Sequence, residues 1–363
     1  MADLVLVACP PVPALGRSVD IDFTQGRSDD FKEVGSPNYD ENGAGFSVAS
    51  QGDAPLIQSN WYIMFGRVEF ETKAAPGTGI VSSAVLQSDD LDEIDWEWLG
   101  ANNDLVQTNY FGKGNTGSFN RGATHDDKGN HDDFHTYTID WTSDQIVWSI
   151  DGTPVRSLTP DEAESDQYPQ SPMMIRIGVW AGGDPSNADG TIGTFLFVFI
   201  SLQQQQQLTN AEWSGGETDY SSGPYTMYLK SLKVTDYSSG DSYSYGDKTG
   251  SWQSIVAENG SVEGNDSSEP KSTVSAPAVT ATVDSIPIPW EGTHRQTSSF
   301  VTPNIWPWVA RPTASTSETS LPDWAYSGSG SARPPSASSV SEHCPYHFYV
   351  SYISVLMFSF FFY

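Results

Sequence analysis

Cysteine is nearly absent from this chain of 363 residues: there are two, Cys9 and Cys344, near opposite ends. No CxxC pair and no Cys/His cluster exists, so neither a dense disulfide framework nor a structural zinc site is expected. His125, His131 and His135 lie close together but lack HExxH spacing, and no metal or cofactor is expected. Positive charge is scarce, with 17 Lys and Arg against 46 Asp and Glu and a net charge of −29. That excess repels phosphates and excludes nucleic acid as a partner. Helical periodicity is scarce too. The 32 Gly and 23 Pro break the chain into short segments, which points to an all-β, turn-rich domain.

Against these absences stands one dense run, LDEIDWEWLG, at 91–100. Glu93, Asp95 and Glu97 alternate with Ile94, Trp96 and Trp98. A period of two predicts a β-strand with two different faces. One face carries three carboxylates, the other an aliphatic and two indoles that fix the strand on a core. Three like charges on one face repel unless a proton is shared. A carboxyl pair that holds one proton is what glycoside hydrolysis requires. An exposed acidic face and a calcium loop are the alternatives left open by the residues alone. The loop is the weaker, since no Gly interrupts the alternation.

Further strand-like runs fall at Ala44–Val48, Trp61–Thr72, Ile80–Gln87, Val106–Phe111, His135–Trp141, Gln145–Ile150, Met174–Val179 and Tyr225–Val234. Asp151-Gly152 is a hairpin turn signal. Many short strands at this spacing predict a sandwich or jelly roll. The expected catalytic domain covers 20–254, after an N-terminal segment 1–19. Residues 255–332 are rich in Ser, Thr and Pro, carry the sequons at Asn259 and Asn265, and read as a disordered glycosylated linker. The end, 333–363, finishes in the apolar run Phe348–Tyr363 behind the small residues of Ser327–Ala332. Small residues, spacer and apolar tail in that order have the form of a GPI-anchor signal; a short tail anchor or an incorrect final exon is the alternative. Residues 193–211 place a hydrophobic burst and five glutamines between polar, turn-like pieces. They are expected to be a translated intron, with Leu208-Thr209-Asn210 standing where a branch-point CTAAC would be read.

The run DEIDWEW resembles the E-[I/L]-D-x-E signature of glycoside hydrolase family 16. NWYIMFGRVEF (60–70), GIVSS (79–83), LQSDDL (86–91), QTNYFGKG (107–114), FHTYTIDW (134–141) and GGETDY (215–220) resemble its fungal Crh-type cell-wall transglycosylases. The resemblance covers about Cys9–Trp252. It implies a concanavalin-like jelly-roll β-sandwich with a concave substrate cleft. It implies a retaining double displacement with Glu93 as nucleophile, Glu97 as general acid/base and Asp95 as auxiliary carboxylate. The donor would be chitin, the acceptors chitin or β-glucan. Such a protein is expected to be an extracellular monomer in the cell wall, touching the membrane only through the anchor. An endo-β-glucanase or chitin hydrolase, a non-catalytic wall lectin and an inactive product of the inserted segment are the competing readings. Members begin with a signal peptide and pair their first cysteine with an upstream one. Cys9 has no such partner, which implies a truncated start.

Substrate-binding candidates come from the text around these motifs. Trp180 and Trp213 lie in Gly- and Asp-rich loop sequence and are expected to stack on sugar rings, with a core role as the alternative. Gln107, Asn109, Tyr110 and Lys113 fall on or just after a neighbouring strand, of which alternate residues face the cleft. His135 is a candidate cleft hydrogen-bonder, against a satisfied structural histidine. Glu217, Asp219 and Tyr220 are candidate acceptor-side contacts on a loop.

Overall fold

The computed structural model describes residues 10–114, 121–163, 167–184 and 210–265, and the statements below concern these. Residues 193–209, Cys9, Cys344, the linker from 266 and the apolar tail lie outside them. Every described residue belongs to one unit, Ala8–Val309.

The strands are β1 (Val12–Pro13), β2 (Ser18–Asp22), β3 (Phe31–Val34), β4 (Asn38–Asp40), β5 (Gly43–Val48), β6 (Leu56–Ser59), β7 (Gly66–Lys73), β8 (Ile80–Ser88), β9 (Glu93–Leu99) and β10 (Leu105–Phe111). They continue with β11 (Ala123–Asp126), β12 (His135–Trp141), β13 (Ile146–Ile150), β14 (Thr153–Leu158), β15 (Met173–Ala181), β16 (Tyr225–Asp236), β17 (Ser242–Tyr245) and β18 (Ile255–Glu258). One sheet has the order β11-β10-β9-β8-β15-β6-β3. A second has the order β14-β13-β12-β7-β16-β5-β4, with β2 also paired to β16. A small third sheet, β1-β17-β18, ties the two ends of the domain. All the strand pairs are antiparallel.

The sheets form the expected jelly-roll sandwich because each strand has one apolar face. β7 alternates strictly, burying Gly66, Val68, Phe70 and Thr72. The core between the sheets joins Ile94, Trp96 and Trp98 of β9 to Tyr137, Ile139 and Trp141 of β12. The Trp96 and Trp98 rings stack at 6.4 Å. Tyr137 meets both edge-on, at 5.4 and 4.6 Å. Such aromatic geometry adds about 0.5–1.5 kcal/mol per pair beyond simple burial.

Two expectations are corrected. The run Trp61–Thr72 is not one strand. Phe65 turns to φ 62°, breaking the extended backbone, and only β7 follows. The packed chain also extends beyond 20–254 at both ends. Val12, Leu15 and Val19 are buried at one end, and Ile255 on β18 at the other. The hairpin at Asp151-Gly152 has positive φ at both residues (47° and 78°) and joins β13 to β14, as the sequence implied.

Candidate active site

β9 lies near the centre of the seven-stranded sheet, so its outer face is flanked by strands on both sides. Residues opposite each other across antiparallel strands share a face. Glu93 therefore stands in one row with Gln87 of β8, Met174 of β15 and Phe111 of β10. Asp95 stands in the next row with Val85, Arg176, Gln58 and Asn109. Glu97 follows with Ser83, Gln107 and Thr124. Trp180, opposite Val81 and Leu99, closes the end of this face.

The other sheet steadies the strand from below. Trp148 of β13 donates its indole N–H to the carbonyl of Asp95 at 3.2 Å. A loop steadies it from the side. Thr218 donates to the carbonyl of Gly79, and a side chain at Gly79 (φ 78°) would collide with Thr218 at 2.4 Å. That contact seats the segment just after Trp213, the last residue of the short helix α1 (Asn210–Trp213). Trp213 donates its indole N–H to Gln107 Oε1 at 3.1 Å and lies 6.1 Å from the Trp180 ring. The two indoles thus sit beside the Glu97 row.

The three carboxyls are electrostatically unequal. Burial raises Glu97, and the neighbouring Glu93 charge adds to this, to about 8. Burial pushes Asp95 well above the usual range, with the charges of Glu93 and Glu97 and a hydrogen bond to Glu93 acting in the same direction. Burial also raises Glu93, but bonds from Gln87 and Asp95 and the charges of Arg176 and Arg121 oppose it. With all three ionised, neither buried oxygen of Asp95 has a donor. A proton on Asp95 removes that penalty by turning it into a donor to Glu93. Of the three, Glu93 has the donors and cations that favour its ionised form, while Asp95 is pushed toward its protonated form and Glu97 keeps its proton at neutral pH.

Of the expected site residues, the fold groups Glu93, Asp95, Glu97, Gln107, Asn109, Trp180 and Trp213. Asn109 Oδ1 also accepts from the Tyr110 N–H at 2.9 Å. Tyr110 itself is corrected: it pairs with Ile94 and lies in the core, because alternation turns it away from Asn109. Lys113 is corrected as well. It follows the end of β10, where its N–H donates to Asp92 Oδ1 at 2.8 Å and its charge acts on Asp90 and Asp92. His135 belongs to the second sheet, where its Nδ1 bonds Asp151 Oδ2 at 2.7 Å, so it is no cleft residue. Glu217 is exposed. Asp219 caps the short turn Tyr220–Ser222 by accepting from the Ser221 N–H, and the Tyr220 hydroxyl donates to Asp184. Their carboxylate and hydroxyl are used in holding the loop.

Gln87, Arg176 and Arg121 were missed. Alternation along Met173–Ala181 places Arg176 on the face of Trp180, a signal the sequence contained. Gln87 had no such mark, because its role depends on which strand pairs with β9. Among the described residues no cluster of His, Cys, Asp and Glu fits a metal ion.

The chain matches the model of the glycosyl hydrolases family 16 over residues 26–195. It is 66% identical over 343 residues to Crh-like protein 4 of Aspergillus fumigatus, covering 93% of this chain and 72% of that protein. It is 48% identical over 347 residues to Crh-like protein 4 of Botryotinia fuckeliana, covering 93% and 86%. The solved structure of apo Crh5 transglycosylase is 47% identical, with a TM-score of 0.61, covering 69% of this chain and 98% of that one. The same enzyme in complex with NAG is 48% identical with a TM-score of 0.62, covering 69% and 97%. With the E-[I/L]-D-x-E carboxylates in place on the outer face of β9, this chain belongs to glycosyl hydrolase family 16, among its Crh-like proteins.

Proposed function

We propose that the protein is a retaining transglycosylase of the fungal cell wall that cleaves chitin and transfers it to chitin or β-glucan. The observation that carries the reading is the unequal division of three carboxyls on one strand face. Glu93 is held by donors and cations, while Glu97 keeps a proton. In the first step a Glu93 oxygen attacks the anomeric carbon. The Glu97 proton passes to the glycosidic oxygen as that bond breaks, leaving a glycosyl ester on Glu93. In the second, the Glu97 carboxylate takes the proton of an acceptor hydroxyl, whose oxygen displaces Glu93 from the same carbon. Asp95, protonated beside Glu93, steadies the nucleophile through both steps. Trp180 and Trp213 offer apolar faces for sugar rings beside the proton donor, and Gln107 and Asn109 offer amides.

The Crh-like relatives and the Crh5 transglycosylase with NAG support the substrate class. The reading includes an extracellular protein in the wall, with a C-terminal GPI signal as its tether. The test is a transfer assay with a chitin oligosaccharide donor and fluorescent chito- or laminari-oligosaccharide acceptors, on the chain with and without residues 193–211. Labelled product of higher mass is the expected result. Short sugars without labelled product would make the protein a hydrolase, and binding without turnover a lectin. Product from the shortened form alone would support the intron reading of 193–211; product from both would make that segment a tolerated insertion.

A further inference from the structure

The Glu93 carboxylate is held from outside its own strand. Gln87, directly opposite on β8, is buried and donates its Nε2 to Glu93 Oε2 at 2.7 Å. A carboxamide is two-faced: a half-turn about its last torsion presents oxygen where nitrogen stood. Turned that way, Gln87 would set a second lone pair against the carboxylate. Arg176 removes the ambiguity. Its Nη1 donates to Gln87 Oε1 at 2.7 Å, and a guanidinium has donors and no acceptor. The amide can satisfy both neighbours in one orientation only.

We propose that Gln87 and Arg176 are positioning residues for Glu93, a two-bond relay in which Arg176 locks the Gln87 amide so that a donor always faces the attacking carboxylate. This rests on Glu93 being the nucleophile. Gln87 does not touch the sugar in this scheme; it fixes the rotamer and the charge of the group that does. The choice of arginine follows from the geometry. Its planar fork fixes direction as well as charge, where a lysine ammonium would swing about its stem.

The groups facing Glu93 are few. From its own strand come Asp95 and Glu97. From β15 comes Arg176, and ahead of β11 comes Arg121, whose Nη1 donates to Gln167 Oε1. β8 contributes only the neutral Gln87, and β10 places Phe111 opposite. Asp92, the preceding residue, is occupied by the Lys113 and Gln170 N–H groups. Tyr62 lies near Arg176 but donates to Asp89. Arg176 and Arg121 thus offset the other carboxyls around Glu93.

The test is covalent labelling of the full chain with an epoxyalkyl chito-oligosaccharide. Glu93 opens the epoxide to form an ester, and the resulting alkoxide takes a proton from Glu97. Mass mapping reads which residue is esterified, and the labelling rate against pH reads when that residue is ionised. In the parent chain the ester is expected on Glu93. In Arg176→Met the acidic limb is expected to move up by about one pH unit, so that labelling on that limb falls about tenfold. Arg176→Lys should restore the limb and leave the plateau lowered. Gln87→Met should lower labelling at every pH. An Arg176→Met profile identical to the parent, with the ester still on Glu93, overturns the relay and leaves the nucleophile reading intact. An ester on another residue overturns both. If Arg176→Met fails to fold, Gln87→Met decides, and an unchanged limb and plateau there overturn the relay.

Discussion

Two groups of buried carboxyls have similarly raised proton affinities and opposite surroundings. Asp236 is pushed up to about 7, by burial above all. It nevertheless accepts N–H bonds from Gly16, Met64 and Ser238 and an O–H bond from Tyr243. These bonds tie the small third sheet to the sandwich. Asp92, also raised to about 7 by burial and then by Asp90, accepts from the N–H groups of Lys113 and Gln170. Asp95 and Glu97 are raised by the same cause. Yet Asp95 has two oxygens without a donor, and Glu97 accepts no hydrogen bond among the described residues. A raised affinity therefore reports burial in both groups. What separates them is satisfaction. The structural carboxyls are surrounded by donors, while the site carboxyls are left to one another and to a ligand.

Breaking the site group should have the largest effect. Glu93→Gln is expected to lower transfer by at least about 10³-fold, as loss of a nucleophile does, with the melting temperature kept or raised. A variant retaining most of its activity would reject Glu93 as the nucleophile. The opposite face of the same strand should answer in stability instead. Trp96 is fully buried, and Trp96→Ala should cost about 3–5 kcal/mol in denaturant unfolding.

The same conservative change in each group sharpens the contrast. Asp236→Asn turns an N–H toward donors that the carboxylate had satisfied, and should cost about 1–3 kcal/mol. Asp95→Asn places a donor beside Glu93 and should leave stability unchanged or higher, while lowering the transfer rate. Equal losses of stability at the two positions would erase the distinction between them.

Protonation supplies the remaining tests. Cleavage requires the Glu97 proton, so transfer should fall about tenfold per pH unit above about 8. For stability the sign is fixed by proton binding. The folded Glu97 holds a proton that the unfolded chain releases near 4.5, so stability falls as pH rises from about 4.5 to about 8 and is level above. Glu97→Gln should therefore raise the melting temperature most above pH 8, by on the order of 10 degrees, or a gain of about 3–5 kcal/mol. An unchanged melting temperature there would mean that the ionised Glu97 is not strained in the fold.

Much of this was legible locally. Period-two alternation located β9 and assigned its carboxylate and indole faces, and the Asp151-Gly152 turn marked the β13–β14 hairpin. The errors have a common origin. Tyr110 and Asn109 are adjacent, and sequence context puts both near the site, but the pleat sends one to the core and the other to the carboxylate face. His135 lies in motif text near other strands of the site, yet β12 belongs to the other sheet. Lys113 sits just past a strand end, where φ turns to 52° and the alternation no longer says where a side chain goes.

The sequence by itself determined which strand carries the carboxyls, in what spacing, and on which face, because that information lies within seven consecutive residues and a period of two. Only the tertiary structure decided which of them ionises. β8 brings Gln87, β15 brings Arg176 and the segment before the edge strand β11 brings Arg121, none of them a neighbour of Glu93 in the chain. Charge acts through space, and the distances that matter are set by strand order, which no local pattern in the chain contains.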